Sequence, residues 1–437
     1  MTGIHPSSGE VLRVAIHAQV SADGSAGGVQ QALASLVRAL DREAAPGIEF
    51  VLLAGQRGHE WLTAGLGRPF QVSENPGTLE RSVKAGQPAA VRLRVHIGQA
   101  AARARRMGQR LRGQRPITTG DEWARGAGSD LVHFPYQEAF RTSLPSIFNP
   151  WDLQHLSLPQ YFSPETRSQR DERYREACAA ARAIVGATDW TRRDLHARLG
   201  VALDKVVVIP VPPFNEGMAD PSAEEVEAAR QRLGVAAPFV LYPARMFPHK
   251  NHVRLLEALA ELRSRGHEVR CVLTGATHPF TATVAQRARE LGLSEHVRVL
   301  GFVAPAELRV LYRLCRLVAF PSTHEGLGLP LLEAFAEGAP VASSNATCLP
   351  EVGGDAALYF SPEDVREMAD AIAALWDSAD RRQDLVQRGR RRLSFFSGHR
   401  SALAHLGLYR MVGERQLRDE EREALTSFGN DVPGSAR

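Results

Sequence analysis

Phe320-Pro-Ser-Thr-His-Glu325-Gly326-Leu327-Gly328-Leu-Pro330-Leu-Leu-Glu333-Ala-Phe-Ala-Glu-Gly338-Ala-Pro340-Val341 is the stretch that decides the fold. On its left, Leu317-Val-Ala-Phe320 is a short apolar run ended by Pro321, which reads as a buried strand. Pro330 stands where a first helical residue is favoured, and Leu331, Leu332, Phe335 and Ala336 repeat with the helical period. Gly338 followed by Pro340 stops that helix. Between strand and helix lies Glu325-Gly326-Leu327-Gly328, a turn with no bulky side chain at either glycine. Backbone N–H groups and the positive end of the helix therefore face whatever binds there, and such a turn suits a phosphate. Two carboxylates flank it, Glu325 in the turn and Glu333 in the helix; taken alone, Glu333 equally fits an acid placed for the helix dipole.

Working outward, the same strand–turn–helix unit recurs. Val11–Ile16 reads as a first strand, Gly24–Gly28 as a glycine-bearing turn and Val29–Leu40 as a helix, the opening of a doubly wound α/β domain whose ligands lie beyond the strands' carboxyl ends. Phe50–Ala54, Leu131–Phe134 and Ser146–Asn149 are further strands, and Arg173–Arg182 a helix leading into Ala183-Ile-Val185. There is no Gly-x-Gly-x-x-Gly and no Gly-x4-Gly-Lys-Ser/Thr, so neither a dinucleotide fingerprint nor a P-loop is supported. Pro210, Pro212 and Pro213 follow the apolar Val206–Ile209 as an interdomain hinge. After them the alternation restarts, with strands at Phe239–Tyr242, Val269–Thr274 and Val297–Leu300 and helices at Val253–Arg263, Val284–Leu291 and Pro305–Leu314. Leu403, Leu406, Tyr409 and Met411 fit a closing helix, and the polar residues after Asp419 read as a disordered tail.

With 437 residues, 44% of them hydrophobic, the chain can build two sizeable cores. Its four cysteines have no metal-ligand spacing, no apolar run approaches a membrane span, and the expected location is cytoplasmic. The net charge of +4 is unevenly spread: residues 79–126 carry eleven Lys and Arg against three acids. Inside that stretch Leu93, Ile97, Ala100, Ala104, Met107 and Leu111 form one helical stripe flanked by arginines, Arg92 to Arg115. This fits a basic helix lying on an anionic membrane surface, and equally a core-packed helix with a solvated arginine face. No nucleic-acid-binding fold is recognisable, so nucleic acid is not an expected partner.

Tyr242-Pro-Ala-Arg245-Met-Phe-Pro-His-Lys250 places two cations just past a strand, an arrangement suited to clamping a diphosphate. Together with Glu325-Gly-Leu-Gly-Leu-Pro-Leu-Leu-Glu333 it resembles the large retaining glycosyltransferase family with the Glu-x7-Glu motif and the GT-B fold, two Rossmann-like α/β domains facing a central cleft. The resemblance implies that Glu325 contacts the donor sugar, that Glu333 binds the nucleotide ribose, and that the amides of Gly326, Leu327 and Gly328 face the diphosphate. It further implies that Arg245 and Lys250 neutralise that leaving group. Gly275 in Leu-Thr-Gly and Gly28 in Gly-Gly resemble turns near the donor phosphates, and Val303 in Gly-Phe-Val resembles the segment whose backbone reads the base. Each also fits a plain turn. Asn149-Pro-Trp-Asp152-Leu-Gln-His155 is similar to the segment where the family often has His-Asp beside the acceptor; Trp151 takes the histidine's place, Asp152 is kept, though it also fits a helix cap, and His155 is the candidate substitute, though a lone histidine near an apolar strand is more often a core residue.

The expectation is thus an acceptor-side domain over 1–213, a nucleotide-sugar domain over 214–394, and a 395–437 segment whose helix returns to the first domain. The expected reaction moves a hexose, mannose first, from a GDP or UDP carrier to a glycan or lipid-linked glycan. No Asp-x-Asp pair occurs, so no metal is expected. Two rival readings are a nucleotide-sugar epimerase or hydrolase of the same fold, and a non-catalytic module that binds membranes through Arg92–Arg115.

Overall fold

The computed structural model describes residues 11–20, 28–55, 59–67, 70–74, 119–236 and 238–432. The arginine-rich stretch Arg92–Arg115 and the residues just before Gly28 lie outside them. The first sheet contains β1 (Leu12–Ala18), β2 (Ile48–Ala54), β3 (Gln71–Glu74), β4 (Leu131–Phe134), β5 (Ser146–Phe148), β6 (Ala183–Gly186) and β7 (Val206–Val208). Their order is β3-β2-β1-β4-β5-β6-β7, every pairing parallel. Successive residues of β1 and β2 alternate between two apolar cores: Val14, Ile16 and Leu52 join one, Ala15, Val51 and Leu53 the other. Both faces are therefore covered, which is why these strands read as continuous apolar runs rather than as alternating ones.

The second sheet holds β8 (Val240–Pro243), β9 (Cys271–Thr274), β10 (Val297–Gly301), β11 (Leu317–Phe320), β12 (Val341–Ser344) and β13 (Ala357–Phe360). Its order is β10-β9-β8-β11-β12-β13, again all parallel. The chain winds outward from β8 to β10 and then returns to start β11 on β8's other side. That reversal opens a crevice at the carboxyl ends of β8 and β11, where open α/β sheets bind ligands. No helix among the described residues is long and apolar enough to cross a membrane.

The helix Gly398–Val412 leaves the second sheet and packs on the first. Its Ala402, Leu403, Leu406 and Tyr409 share a core with Leu12, Val14 and Leu52. The Tyr409 hydroxyl lies 2.9 Å from His133 Nδ1 in β4. The expected disordered tail is corrected here, because residues Asp419–Ser427 form a helix. Its polarity misleads: Glu421 is buried, ion-paired to Arg410 at 2.9 Å, while Ala424, Leu425 and Phe428 enter the same core. The helix read over Arg173–Arg182 is likewise longer, Pro164–Ala180, because the Ser163 hydroxyl caps its start with Pro164 in the first turn.

Candidate active site

β8 and β11 are neighbours, with Leu317 opposite Val240 and Val318 opposite Leu241, so the loops leaving their carboxyl ends begin about 4.8 Å apart. The β8 loop delivers Arg245 and Lys250, and the β11 loop delivers Glu325 to Gly328. Lys250 Nζ lies 2.5 Å from Glu325 Oε1, with only 18% and 12% of the two side chains exposed. The loops are stitched together around this pair. Tyr242 donates its hydroxyl to the Lys250 carbonyl at 2.7 Å, Thr323 N–H reaches the His249 carbonyl at 2.8 Å, and the Asn251 amide donates to the Pro321 carbonyl at 3.1 Å. Asn251 adopts φ +61° to turn the chain into the helix His252–Ser264. Arg245 stands over the Phe247 ring, guanidinium carbon to centroid 4.9 Å, as a cation–π pair.

Gly328 has φ +80° and ψ +50° at the start of the helix Leu329–Ala336, and a Cβ there would come within 2.5 Å of Leu349 Cδ2. Among the described residues the helix has no capping side chain, and it has no acid in its first turn, so its positive end is left for a ligand. Among the described residues, the N–H groups of Gly326, Leu327 and Gly328 have no acceptor. Gly275 (φ +133°) presses on the β8 loop, where a Cβ would sit 2.6 Å from the Ala244 carbonyl oxygen and 2.7 Å from Arg245 N. Its N–H donates to the Gly301 carbonyl at 2.8 Å, which lines the Val303 segment up beside the Arg245 loop. Gly28 opens the helix Gly28–Arg42 of the first sheet and faces Leu329; a Cβ on it would sit 3.6 Å from Leu329 Cδ1. The structure thus gathers Arg245, Lys250, Glu325, Gly326, Leu327, Gly328, Gly275 and Gly28 along one crevice.

The facing wall comes from the loop after β5. Trp151 holds φ +66°, rare for a residue with a side chain, and donates Nε1–H to the Pro135 carbonyl at 3.0 Å. A Cβ on Gly326 would meet the Trp151 carbonyl oxygen at 2.4 Å and Asp152 Cβ at 3.2 Å. Asp152 is therefore brought against the glycine turn of the other sheet, its Oδ1 3.7 Å from Arg170. His155 is not. Its ring is fully buried, set edge-on to Tyr174 at 5.0 Å, and among the described residues neither ring nitrogen has a hydrogen-bond partner. Burial lowers its pKa to about 4. The structure does not bring His155 to the site: it lies four positions past Trp151 on a short helix, Gln154–Ser157, with its ring in the core, the placement a lone histidine near an apolar strand commonly takes.

Glu333 lies on the inner face of its helix, 2% exposed, and accepts the Tyr312 hydroxyl at Oε2 at 2.7 Å. Burial pushes its pKa up to about 7. Three further residues at this site, His324, Thr188 and Thr191, were not singled out by the sequence motifs, and a fourth, Glu351, reads in the sequence as an acid at the start of its own helix but reaches another. His324, buried with its ring edge-on to Trp190 at 5.6 Å, precedes Glu325, and desolvation lowers its pKa. Thr188 and Thr191, at the start of the helix Asp189–Leu199, each place a hydroxyl 3.2 Å from the Gly326 carbonyl oxygen. Glu351 takes the Asp189 and Trp190 N–H groups at 2.6 and 2.8 Å. A Thr-x-x-Thr step at a strand end marks a helix start but not what it touches.

Residues 225–392, which carry this crevice's β8 and β11 loops, match the family described as Glycosyl transferases group 1. The match covers the second sheet's unit, residues 225–392, and not the first. The chain is 26% identical over 262 residues to the O-antigen chain mannosyltransferase B of Escherichia coli, covering 60% of this chain and 69% of that one. Over 216 residues it is 30% identical to the GDP-mannose-dependent alpha-(1-6)-phosphatidylinositol monomannoside mannosyltransferase of Mycobacterium tuberculosis, covering 47% of this chain and 56% of that relative's length. The chain also superposes on the solved structure of Anabaena Alr3699/HepE in complex with UDP-glucose, with TM-score 0.64, 19% identity, and coverage of 92% and 98%. The two facing parallel-sheet units are the GT-B architecture.

Proposed function

We propose that this glycosyltransferase moves a hexose, mannose first, from a nucleoside-diphosphate sugar to a glycan or lipid-linked glycan, with retention at the anomeric carbon. The observation that carries the reading is the Lys250–Glu325 pair, 2.5 Å apart at the β8/β11 switch point beside a helix end with no cap of its own. As the sugar–phosphate bond lengthens through an oxocarbenium-like state, negative charge builds on the departing diphosphate. Arg245, Lys250 and the N–H groups of Gly326, Leu327 and Gly328 are the groups that meet it, without calling on a metal. Glu325, released from Lys250 by the incoming phosphate, receives donor hydroxyls. Glu333 offers the ribose its Oε1, since Tyr312 occupies Oε2. Val303 reads the base, Asp152 faces the acceptor, and a diphosphate oxygen takes the acceptor's proton on the front face, so no enzyme nucleophile is needed.

The names of the two relatives favour mannose, and one of them a guanosine carrier, whereas the solved relative holds UDP-glucose. The arginine-rich stretch 92–115 suits an anionic membrane surface on the cytoplasmic side, where a lipid-linked acceptor would lie. The test is incubation with GDP-mannose or UDP-glucose, with and without an oligosaccharide-lipid extract, following nucleoside diphosphate release and the product's anomeric signal by NMR. Release that requires acceptor, with the donor's anomeric configuration kept, is the expected result. Equal release without acceptor would make it a hydrolase, conversion of the donor sugar an epimerase, and an inverted product would remove the retaining mechanism.

A further inference from the structure

The helix Asp189–Leu199 belongs to the first sheet's layer, yet its amino end is completed by the second. Its first N–H groups are satisfied in a set order. Asp189 and Trp190 donate to Glu351 Oε1 and Oε2 at 2.6 and 2.8 Å. Thr191 donates to the Thr188 hydroxyl at 3.1 Å, and Arg192 to the Thr188 carbonyl at 3.2 Å. A carboxylate at a helix amino end is favoured by both the free N–H groups and the dipole. Here that carboxylate comes from a residue more than 150 positions away, |i−j| = 162.

Docked in this way, the helix presents two hydroxyls to one oxygen. Thr188 Oγ1 and Thr191 Oγ1 each lie 3.2 Å from the Gly326 carbonyl oxygen and 2.9 Å from each other. Both threonines are buried, 2% and 1% exposed, so no water replaces them. Two hydroxyl protons serve these three contacts, and both can be given to Gly326 at once. A trans peptide is planar, so fixing the Gly326 carbonyl also fixes the direction of the Leu327 N–H at its other edge. That N–H has no acceptor among the described residues.

We propose that Thr188 and Thr191 are positioning residues for the glycine turn. Through the Gly326 carbonyl they set the plane of the Gly326–Leu327 peptide, and so the aim of an amide that meets the leaving diphosphate. This rests on the transfer reading above. The turn is then complete only when Glu351 has seated the helix Asp189–Leu199, which makes the first sheet's unit part of the donor site and not only of the acceptor site. Thr191 is the cleaner probe, because Thr188 also caps its own helix.

The test compares wild type, Thr191→Val, Thr191→Ser and Thr188→Ser by donor calorimetry, steady-state kinetics and thermal melting. Loss of one neutral hydrogen bond predicts a fall in kcat of about three- to tenfold for T191V, with KM for the donor changed less. T191S and T188S, which keep the hydroxyls, are expected to hold wild-type kcat. Should T191V not fold, Thr191→Ala carries the same expectation. A T191V enzyme with wild-type kcat, or a T191S enzyme as slow as T191V, overturns the positioning role while leaving transfer intact. A wild type that binds and turns over no nucleotide sugar removes the transfer reading, and this inference with it.

Discussion

Lys250 and Glu325 neutralise each other across the seam between β8 and β11, Nζ to Oε1 at 2.5 Å. An ion pair so little exposed holds each partner in place; on the proposed reading a phosphate competes for the ammonium and sugar hydroxyls for the carboxylate. Lys250→Ala is expected to lower turnover by about two to three orders of magnitude, the scale of losing one preorganised group at developing charge. Glu325→Ala should lose transfer far more than nucleoside diphosphate affinity. Kinetics alongside calorimetry decide: transfer that survives in E325A while nucleotide binding collapses would reverse the roles given to the two.

Glu351→Ala strips the helix Asp189–Leu199 of the acceptor for two of its N–H groups. Hydrogen bonds to a charged group are worth about 1.5–3 kcal/mol each in a buried setting, less where water can step in. Amide exchange measured by mass spectrometry is expected to quicken at Asp189 and Trp190 in E351A, with neighbouring strands β6 and β7 unchanged. Equal exchange in both proteins would mean that the carboxylate does not seat the helix.

Gly326→Ala tests the contact between the two walls. The added methyl would lie 2.4 Å from the Trp151 carbonyl oxygen, a backbone atom that cannot swing aside. The expected outcome is a loss of turnover of at least about tenfold from displacement of a reacting centre, together with a lower melting temperature, because Gly326 is buried and one of the two backbones must shift. A larger radius of gyration by small-angle scattering would accompany it. Wild-type kinetics in G326A would show that this approach is not needed for catalysis.

Glu333 makes stability depend on pH. Burial raises its folded pKa to about 7 from the ordinary 4.5, so the folded protein holds this proton more tightly than the unfolded chain does. Its contribution is therefore fully present below about pH 4.5 and is lost as pH rises through about 7, roughly 3 kcal/mol in all. Glu333→Gln, which stays neutral, should gain on the wild type in chemical denaturation across that window and hold a constant lead above it. A lead independent of pH would mean that Glu333 is not protonated in the fold.

Much of this architecture can be read from the chain because fully covered parallel strands are unbroken apolar runs. Leu317–Phe320 needs no partner to be recognised, and the glycines at 326 and 328 mark the turn that follows it. Edge strand Gln71–Glu74, half exposed and without an apolar run, gives no such signal. The helix Ala379–Leu393, rich in arginine and buried only at Gly389, is as quiet. Within the site, Arg245, Lys250 and Glu325 are legible since their types and the strand ends that carry them imply phosphate chemistry. Thr188, Thr191 and Glu351 are not, because their partners lie 135 to 162 positions away and the contact exists only once two sheets have met. His155 stays out of the site for the opposite reason: its distance along the chain from Asp152 is short, but one turn of helix rotates it into the interior.

The hydrogen-bonding distance between His133 and Tyr409 spans 276 positions of sequence. Strand β4 thus waits for a helix that leaves the ribosome only after every strand of the second sheet has been made. The half synthesised first therefore cannot complete its core until the chain has been made through Tyr409 and beyond, to Leu425 and Phe428.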